Sequence, residues 1–576
     1  MKRNMDRLSQ QRHDLVVVGG GIYGACVAWE AVRHGLSVSL VEQHDFGHAT
    51  SANSQKIIHG GFRYLQQLDV KRMRESIRER RHLMRIAPHL VHPLPFLVPT
   101  SRRGIQRRLV MRVALALYDL VAWDRNLGVR DPSKRIPNGR LVMREACLRL
   151  APGIDAHGVT GGAVWYDAQV YNSERLTLAF LHSAAEQGAG VANYVQVTGL
   201  LKEANRVTGV TAVDRLTGRT LEVRGRLVIN TSGPWVNRLV GTPQGARSGW
   251  RVSFTKTINV VTKSLTNNHS VSVTLPHREG DAGHESGCCR RVHITPWRGR
   301  SIVGSLHVAA DDHSEAAQAT ESEIARLLAD VNTAYPGASL TPEDVSFVHV
   351  GLLPREEARP GRRVSPDRLS DHYEIRDHGA VDGMEGLLSV VGVKYTTARD
   401  VAAKVVRLAL KKLGRAPVRS RGGQAVLHGG RIERFDAFLE QALRTRPCGL
   451  ADDILRQLAF SYGSEYPRVL EFVERDPALG ARVDTRSPVI KAQVLYAVRE
   501  ELAWTLRDVV FRRTELGSLE HPGAAALRAC AEIMAAELGW DAARVEREIE
   551  ETEHVFVSMG VLPGGYARRE AEVAGG

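Results

Sequence analysis

A chain of 576 residues with 43% hydrophobic and 25% charged residues has material for several packed units and lacks the composition of a disordered or fibrous protein. Its formal net charge of +14 admits nucleic acid, an anionic membrane face or an anionic substrate as counterpart. The excess is Arg-rich, spread along the chain and without a nucleic-acid motif, which argues against nucleic acid. No run of about 18 uninterrupted apolar residues offers a spanning helix, and the basic first thirteen residues lack the apolar segment of a signal peptide. The six cysteines (Cys26, Cys147, Cys288, Cys289, Cys448, Cys530) show no Cys-x-x-Cys spacing. Reduced thiols, no metal site and a cytoplasmic location, soluble or peripheral on the cytoplasmic membrane, are therefore expected.

Residues 1–13 read as a polar tail. Residues 15–18 form an apolar run short enough for a buried parallel strand, and Gly19-x-Gly21-x-x-Gly24 follows at once. These glycines supply a tight turn, close backbone access to a pyrophosphate and close helix-to-strand contact. A helix over 22–34, ended by Gly35, points its N-terminal amides at the phosphates. A second strand over 38–41 closes on Glu42, placed to hold a ribose hydroxyl; an acid there argues against a 2′-phosphate. Residues 43–64 are polar, with Gly and His, and suit a loop that carries chemistry. Residues 71–87 read as a charged helix stopped by Pro88.

The spacing predicts a helix over 105–123 with Arg107, Arg108 and Arg112 on a polar side. It either rests in a membrane interface or packs on the core. Ser173 can cap a helix that ends at Gly188. Strand-like alternation follows at 191–197 and 207–213, a buried strand at 227–229, and mostly antiparallel alternation across 251–310. Residues 386–394 read as a last apolar strand with a helix behind it at 396–413. Residues 414–430 are a plausible linker, and almost everything beyond has helical periodicity.

The fold class is α/β (α+β overall). A Rossmann-like FAD-binding domain carries an inserted antiparallel-sheet substrate domain, and an all-helical C-terminal domain follows. The oxidoreductase region spans 14–415, its substrate part roughly 90–150 and 250–350, and the helical domain 425–562. A discontinuous nucleotide domain favours FAD over NAD by fold analogy.

The block Thr50-Ser-Ala-Asn-Ser-Gln-Lys56-Ile-Ile-His59-Gly60-Gly61-Phe-Arg63-Tyr64-Leu65 closely resembles the signature of FAD-dependent glycerol-3-phosphate dehydrogenases, within the D-amino-acid-oxidase-like flavoproteins. Further blocks agree in order: Tyr166-Asp167 through Arg175-Leu176, Thr231-Ser-Gly-Pro-Trp235, Ile294-Thr-Pro-Trp297 with Gly304, and Lys394-Tyr-Thr396-Thr397. The tail adds Tyr462-Gly463-Ser464 and Tyr496-Ala-Val-Arg499-Glu-Glu501. The resemblance covers roughly 14–560. It implies oxidation of a secondary alcohol, with hydride passing to the flavin N5 and electrons going on to a quinone or another acceptor such as oxygen. It also implies that Thr50, Ser51, Ser54 and Lys56 lie along the flavin, with Gly233 and Thr396 as further cofactor contacts beside Gly19, Gly21, Gly24 and Glu42. Arg63, Tyr64 and Lys394 would hold an anionic substrate, and His59 is the candidate acid/base. The resemblance leaves a homodimer open.

Four departures concentrate in the substrate pocket. Leu353 stands where the family has a phosphate-gripping arginine, with Arg355 two residues on and, on a strand, on the same face. Asp371 stands where it has a second guanidinium, Arg368 being displaced. Asn259 replaces a histidine often considered a proton acceptor, and Gly392-Val393-Lys394 lacks one glycine. Glycerol 3-phosphate or a close anionic secondary alcohol is the leading substrate. The alternatives are a same-scaffold dehydrogenase or oxidase for a 2-hydroxy acid or amino acid, and a flavin-bound protein whose pocket has decayed.

Overall fold

The first strand, His13–Val18, is buried along its whole length. Leu15 and Val17 enter one apolar core while Val16 and Val18 enter another, as the two-residue period of a strand covered on both faces requires. In this computed structural model, which describes residues 1–102, 104–240, 250–275, 291–310, 318–356, 368–416 and 425–559, that strand is central to an eight-stranded sheet. The order is Glu374–Asp377, Leu387–Val391, Thr220–Asn230, His13–Val18, Val38–Val41, Gly190–Ala192. All neighbours pair in parallel except the first two. A hairpin, Val195–Glu203 with Arg206–Asp214, pairs onto the start of Thr220–Asn230. Helices Ile22–Arg33, Ser173–Glu186 and Ala398–Lys412 bury their apolar residues together against one face, with Trp29 edge-on to Phe180 at 5.3 Å between ring centroids.

A nine-stranded sheet stands beside it. Its path runs Phe347–Pro354, Phe254–Thr262, Arg300–Ala309, Arg291–Trp297, Ser270–Thr274, Val91–Ser101, Val159–Val170, Ile57–Ile58. Pairing is antiparallel apart from Ser270–Thr274 against Val91–Ser101. One face packs under helix Glu321–Ala334, where Ile258, Val271, Val292, Ile294 and Val303 meet Leu327 and Val331. The residues between these apolar positions face the other way. The strands at 57–58 and 159–170 lie outside the ranges expected for this substrate part; long-range pairing recruits them.

Beyond residue 425 the described chain is nearly all helical, including Phe435–Thr445, Asp452–Tyr462, Lys491–Glu501, Ala524–Leu538 and Ala542–Ser558. Buried ion pairs fasten it to the rest: Arg175 to Glu501 at 2.7 Å and Arg513 to Asp45 at 2.6 Å. Two local expectations are corrected. Residues 1–13 are no loose tail: Met5–Gln10 is helical, Arg3 pairs with Asp214, and the N-terminal amine donates to the Glu500 carbonyl at 2.6 Å. The helix expected to be capped by Ser173 is capped by Asn172, whose side chain accepts from the Arg175 N–H. Cys288 and Cys289 lie outside the described residues.

Candidate active site

The glycine turn is shaped by backbone contact. Gly19 has φ +106°, and a Cβ there would lie 2.6 Å from the Thr231 carbonyl oxygen. A Cβ on Gly24 would lie 1.9 Å from the Gly19 carbonyl oxygen, so only glycine lets the helix approach the strand. Glu42 accepts the Gly20 N–H at 2.6 Å and the His44 N–H at 2.9 Å. Burial outweighs these hydrogen bonds and pushes its carboxyl up to about 6.

From this turn a cavity of about 1290 Å³ runs between the two sheets. Gly19, Gly21, Glu42 and Gly233 line it at one end, and His59, Arg63, Tyr64 and Lys394 elsewhere. Thr50, Ser51, Ser54 and Thr396 border it as well. Their hydroxyls also have structural partners. Thr50 Oγ1 donates to the Leu352 carbonyl at 3.0 Å and accepts its N–H at 3.1 Å, joining the loop to the substrate sheet. Ser51 Oγ accepts the Ile22 N–H at the helix start, and Ser54 Oγ that of Lys56. Thr396 Oγ1 accepts the His59 N–H at 3.0 Å. Gly24 stays behind the turn, in the helix-to-strand contact.

Lys56 is not brought to this cavity. Its ammonium is buried against Glu174, at 2.9 and 3.0 Å, with Ser173 Oγ and the Ala52 carbonyl completing its hydrogen bonds. The expectation that its side chain lies along the flavin is corrected: a buried carboxylate claims the amine.

The His59 ring is exposed on the cavity wall, with no hydrogen-bond partner on either ring nitrogen among the described residues. Desolvation between the walls of the cavity, then the charges of Arg63 and Lys394, push its imidazole down to about 3, which favours the neutral ring at neutral pH. Burial together with Arg63 and Arg72 pushes the Lys394 ammonium down to about 8. Lys394 Nζ lies 4.2 Å from the Tyr64 ring centroid and the Arg72 guanidinium 4.7 Å from it, so the phenol ring spaces two cations. Neither Arg63 nor Lys394 has a carboxylate partner among the described residues, an arrangement that favours an anionic ligand.

The departures also find their places. Leu353 lines the cavity, while Arg355, expected on the same face, does not. Arg368 lines it but is paired with Glu356 at 2.5 Å. Asp371 lines it and holds Arg72 at 3.2 Å. Asn259 lines it and accepts from Ser305 Oγ at 2.7 Å.

Arg291, His293 and Ser272 also reach the cavity from the substrate sheet and had not been singled out. Their signal lay in alternation: within Arg291-Val-His293-Ile-Thr295, the polar residues share the face opposite Val292 and Ile294.

The glycine cradle, the acid behind it and the long cavity fit a flavin dinucleotide. The class is that of a FAD-dependent oxidoreductase, and a family profile described as FAD dependent oxidoreductase matches residues 14–390. A second, described as the C-terminal domain of alpha-glycerophosphate oxidase, matches 420–545. The chain is 31% identical to a glycerol-3-phosphate dehydrogenase of Synechocystis over 97% of this chain and 99% of that one. It is 32% identical to glycerol-3-phosphate dehydrogenase 2 of Mycobacterium tuberculosis, covering 94% and 88% of the two. In fold it matches the glycerol-3-phosphate dehydrogenase from Bacillus halodurans with a TM-score of 0.74 at 24% identity, over 97% of both chains. The chain belongs to the FAD-dependent glycerol-3-phosphate dehydrogenase family, and its cofactor is FAD.

Proposed function

We propose that the protein oxidises glycerol 3-phosphate, or a close anionic secondary alcohol, to the ketone and passes the electrons to a quinone or another acceptor. The observation that carries this reading is the convergence of Arg63, Lys394 and the neutral His59 on one cavity that also reaches the glycine cradle. Bound FAD supplies the acceptor for the hydride of the carbinol carbon. Arg63 and Lys394 attract and orient the anion, and His59 accepts the hydroxyl proton. Desolvation is the first cause that holds His59 neutral; the charges of Arg63 and Lys394, which act in the same direction, are offset when an anion binds beside them.

The test is anaerobic titration of the holoenzyme with glycerol 3-phosphate. Stoichiometric bleaching of the flavin is expected. Leu353 and Asp371 favour a second reading, in which the same scaffold oxidises a 2-hydroxy acid or an amino acid. Bleaching by such compounds alone would select it, and no bleaching by any of them would leave neither.

We also place the protein at the cytoplasmic face of a membrane. In support, helix Arg108–Val121 packs Met111, Leu115 and Tyr118 inward while Leu109 is 73%, Leu120 70% and the following Trp123 75% exposed. Arg107 and Arg112, also exposed, flank this apolar face. No helix among the described residues is long and apolar enough to cross a membrane. Flotation with vesicles containing anionic lipid should carry the protein with them, and Leu109→Ser with Trp123→Ser should release it; unchanged flotation of the double variant removes the helix from this role.

A further inference from the structure

The pocket has lost cations on one side and carries unassigned polar groups on another. Around residues 353–371, Leu353 is apolar, Arg368 is engaged by Glu356, and Asp371 brings a carboxylate already shared with Arg72. That side offers an anion little.

The face opposite belongs to the substrate sheet, whose register places one row of residues across it. Ser272 pairs with His293, His293 with Gly304, and Gly304 with Asn259. Ser272, His293 and Asn259 all line the cavity. The glycine in the row lets the Asn259 amide lie close against the strand: a Cβ there would lie 2.3 Å from Asn259 Oδ1. Ser272 Oγ and His293 Nδ1 are both buried without a hydrogen-bond partner among the described residues, and Ser272 is 1% exposed. Buried polar atoms are nearly always satisfied, so two such atoms directly across a strand pair on a cavity wall point to a ligand that completes them. Arg291, two residues before His293 and on the same strand face, also lines the cavity. Burial first, and then His59, Arg291 and Arg63, disfavour a positive charge on His293. The neighbourhood is therefore rich in cations and neutral donors.

We propose that Arg291, His293 and Ser272 form the anion-binding wall of this enzyme, holding the phosphate of the substrate from the sheet in place of the cations missing at 353 and 371. Arg291 supplies the charge and a planar pair of donors. The neutral imidazole and the hydroxyl supply single donors to the remaining oxygens. The inference rests on the proposed substrate class for its biological meaning, yet the wall can be tested with an anion that is not a substrate.

The experiment titrates inorganic phosphate into the holoenzyme and follows the visible flavin spectrum, then measures anaerobic flavin reduction against glycerol 3-phosphate concentration. Arg291→Gln and His293→Phe are each expected to weaken phosphate binding and raise the substrate concentration for half-maximal reduction by about 10- to 150-fold, the range for loss of a hydrogen bond to a charged group. The limiting reduction rate should change far less. His293→Gln, which keeps a donor, should recover part of the affinity, and unchanged flavin content in each variant separates this from misfolding. Leu353→Arg should not tighten phosphate. Parent-like phosphate affinity in both Arg291→Gln and His293→Phe would overturn the proposal, as would tenfold tighter binding in Leu353→Arg. If phosphate binding depends on Arg291 but glycerol 3-phosphate bleaches nothing, the wall stands and the substrate assignment falls.

Discussion

The cofactor end and the substrate end of the cavity are built on different principles. At the cofactor end the chain uses its backbone: Gly19, Gly24 and Thr231 meet main chain to main chain, and Glu42 holds two amide groups. At the substrate end it uses side chains drawn from elements far apart in sequence, such as Arg63 on a short helical turn, Arg291 and His293 on a strand, and Lys394 in a loop. A backbone cradle tolerates almost no substitution, because any Cβ collides with something that cannot move. A side-chain wall can exchange one residue for another while the sheet stays the same. Binding of the cofactor is thus fixed with the fold, and recognition of the substrate can drift on it.

The comparison breaks most readily at the cradle. Gly24→Val inserts atoms against the Gly19 carbonyl, and purified protein should carry essentially no flavin, read from its visible absorbance. Retention of full flavin would show that the turn can relax. Lys56→Met should come next in size. Removing one partner of a buried pair leaves Glu174 uncompensated and costs about 3–5 kcal/mol, measurable by denaturant unfolding, with Lys56→Met/Glu174→Leu recovering most of it. A loss of flavin affinity without loss of stability would instead return Lys56 to the cofactor.

Arg63→Met tests the substrate end. Losing a hydrogen bond to a charged group should lower kcat/KM by about 10- to 150-fold while flavin content stays constant. The pH profile sharpens this further. Lys394, held down to about 8, is charged below that pH. As pH rises through about 8 the free enzyme loses the cation, so kcat/KM for an anionic substrate should fall. Lys394→Met should flatten that limb at a lower overall rate. The smallest effect is expected at Glu42. With its carboxyl raised to about 6, the acceptor form is lost as pH falls through that value, and FAD should dissociate more readily in mild acid. Glu42→Gln should weaken FAD binding by about tenfold at neutral pH and remove this dependence.

Legibility followed the same division. The first strand, the glycine turn and Glu42 were readable because a dinucleotide imposes fixed residue types at fixed spacing within thirty residues. The block from Thr50 to Tyr64 was readable as a local string. The course of the substrate sheet was less so: strand Val159–Val170 and the pair Ile57–Ile58 join it through pairings that no local pattern encodes. Lys56 was misassigned because the carboxylate that claims it is 118 residues away. Arg355 shares a strand face with Leu353 by simple alternation, yet only Leu353 reaches the cavity. Ser272 and His293 looked unremarkable until the register set them opposite each other.

The ion pair of Arg513 with Asp45 spans 468 positions of sequence. Asp45 follows Glu42 by three residues and is itself buried. A ribosome delivers Asp45 hundreds of residues before Arg513, so in the interval a carboxylate destined for burial waits without its guanidinium. Lys394 and Thr396, too, emerge after most of the chain. The segment behind Glu42 is accordingly neutralised by the helical domain, and a product truncated before Arg512 and Arg513 is left with the Asp45 carboxylate lacking both guanidinium partners.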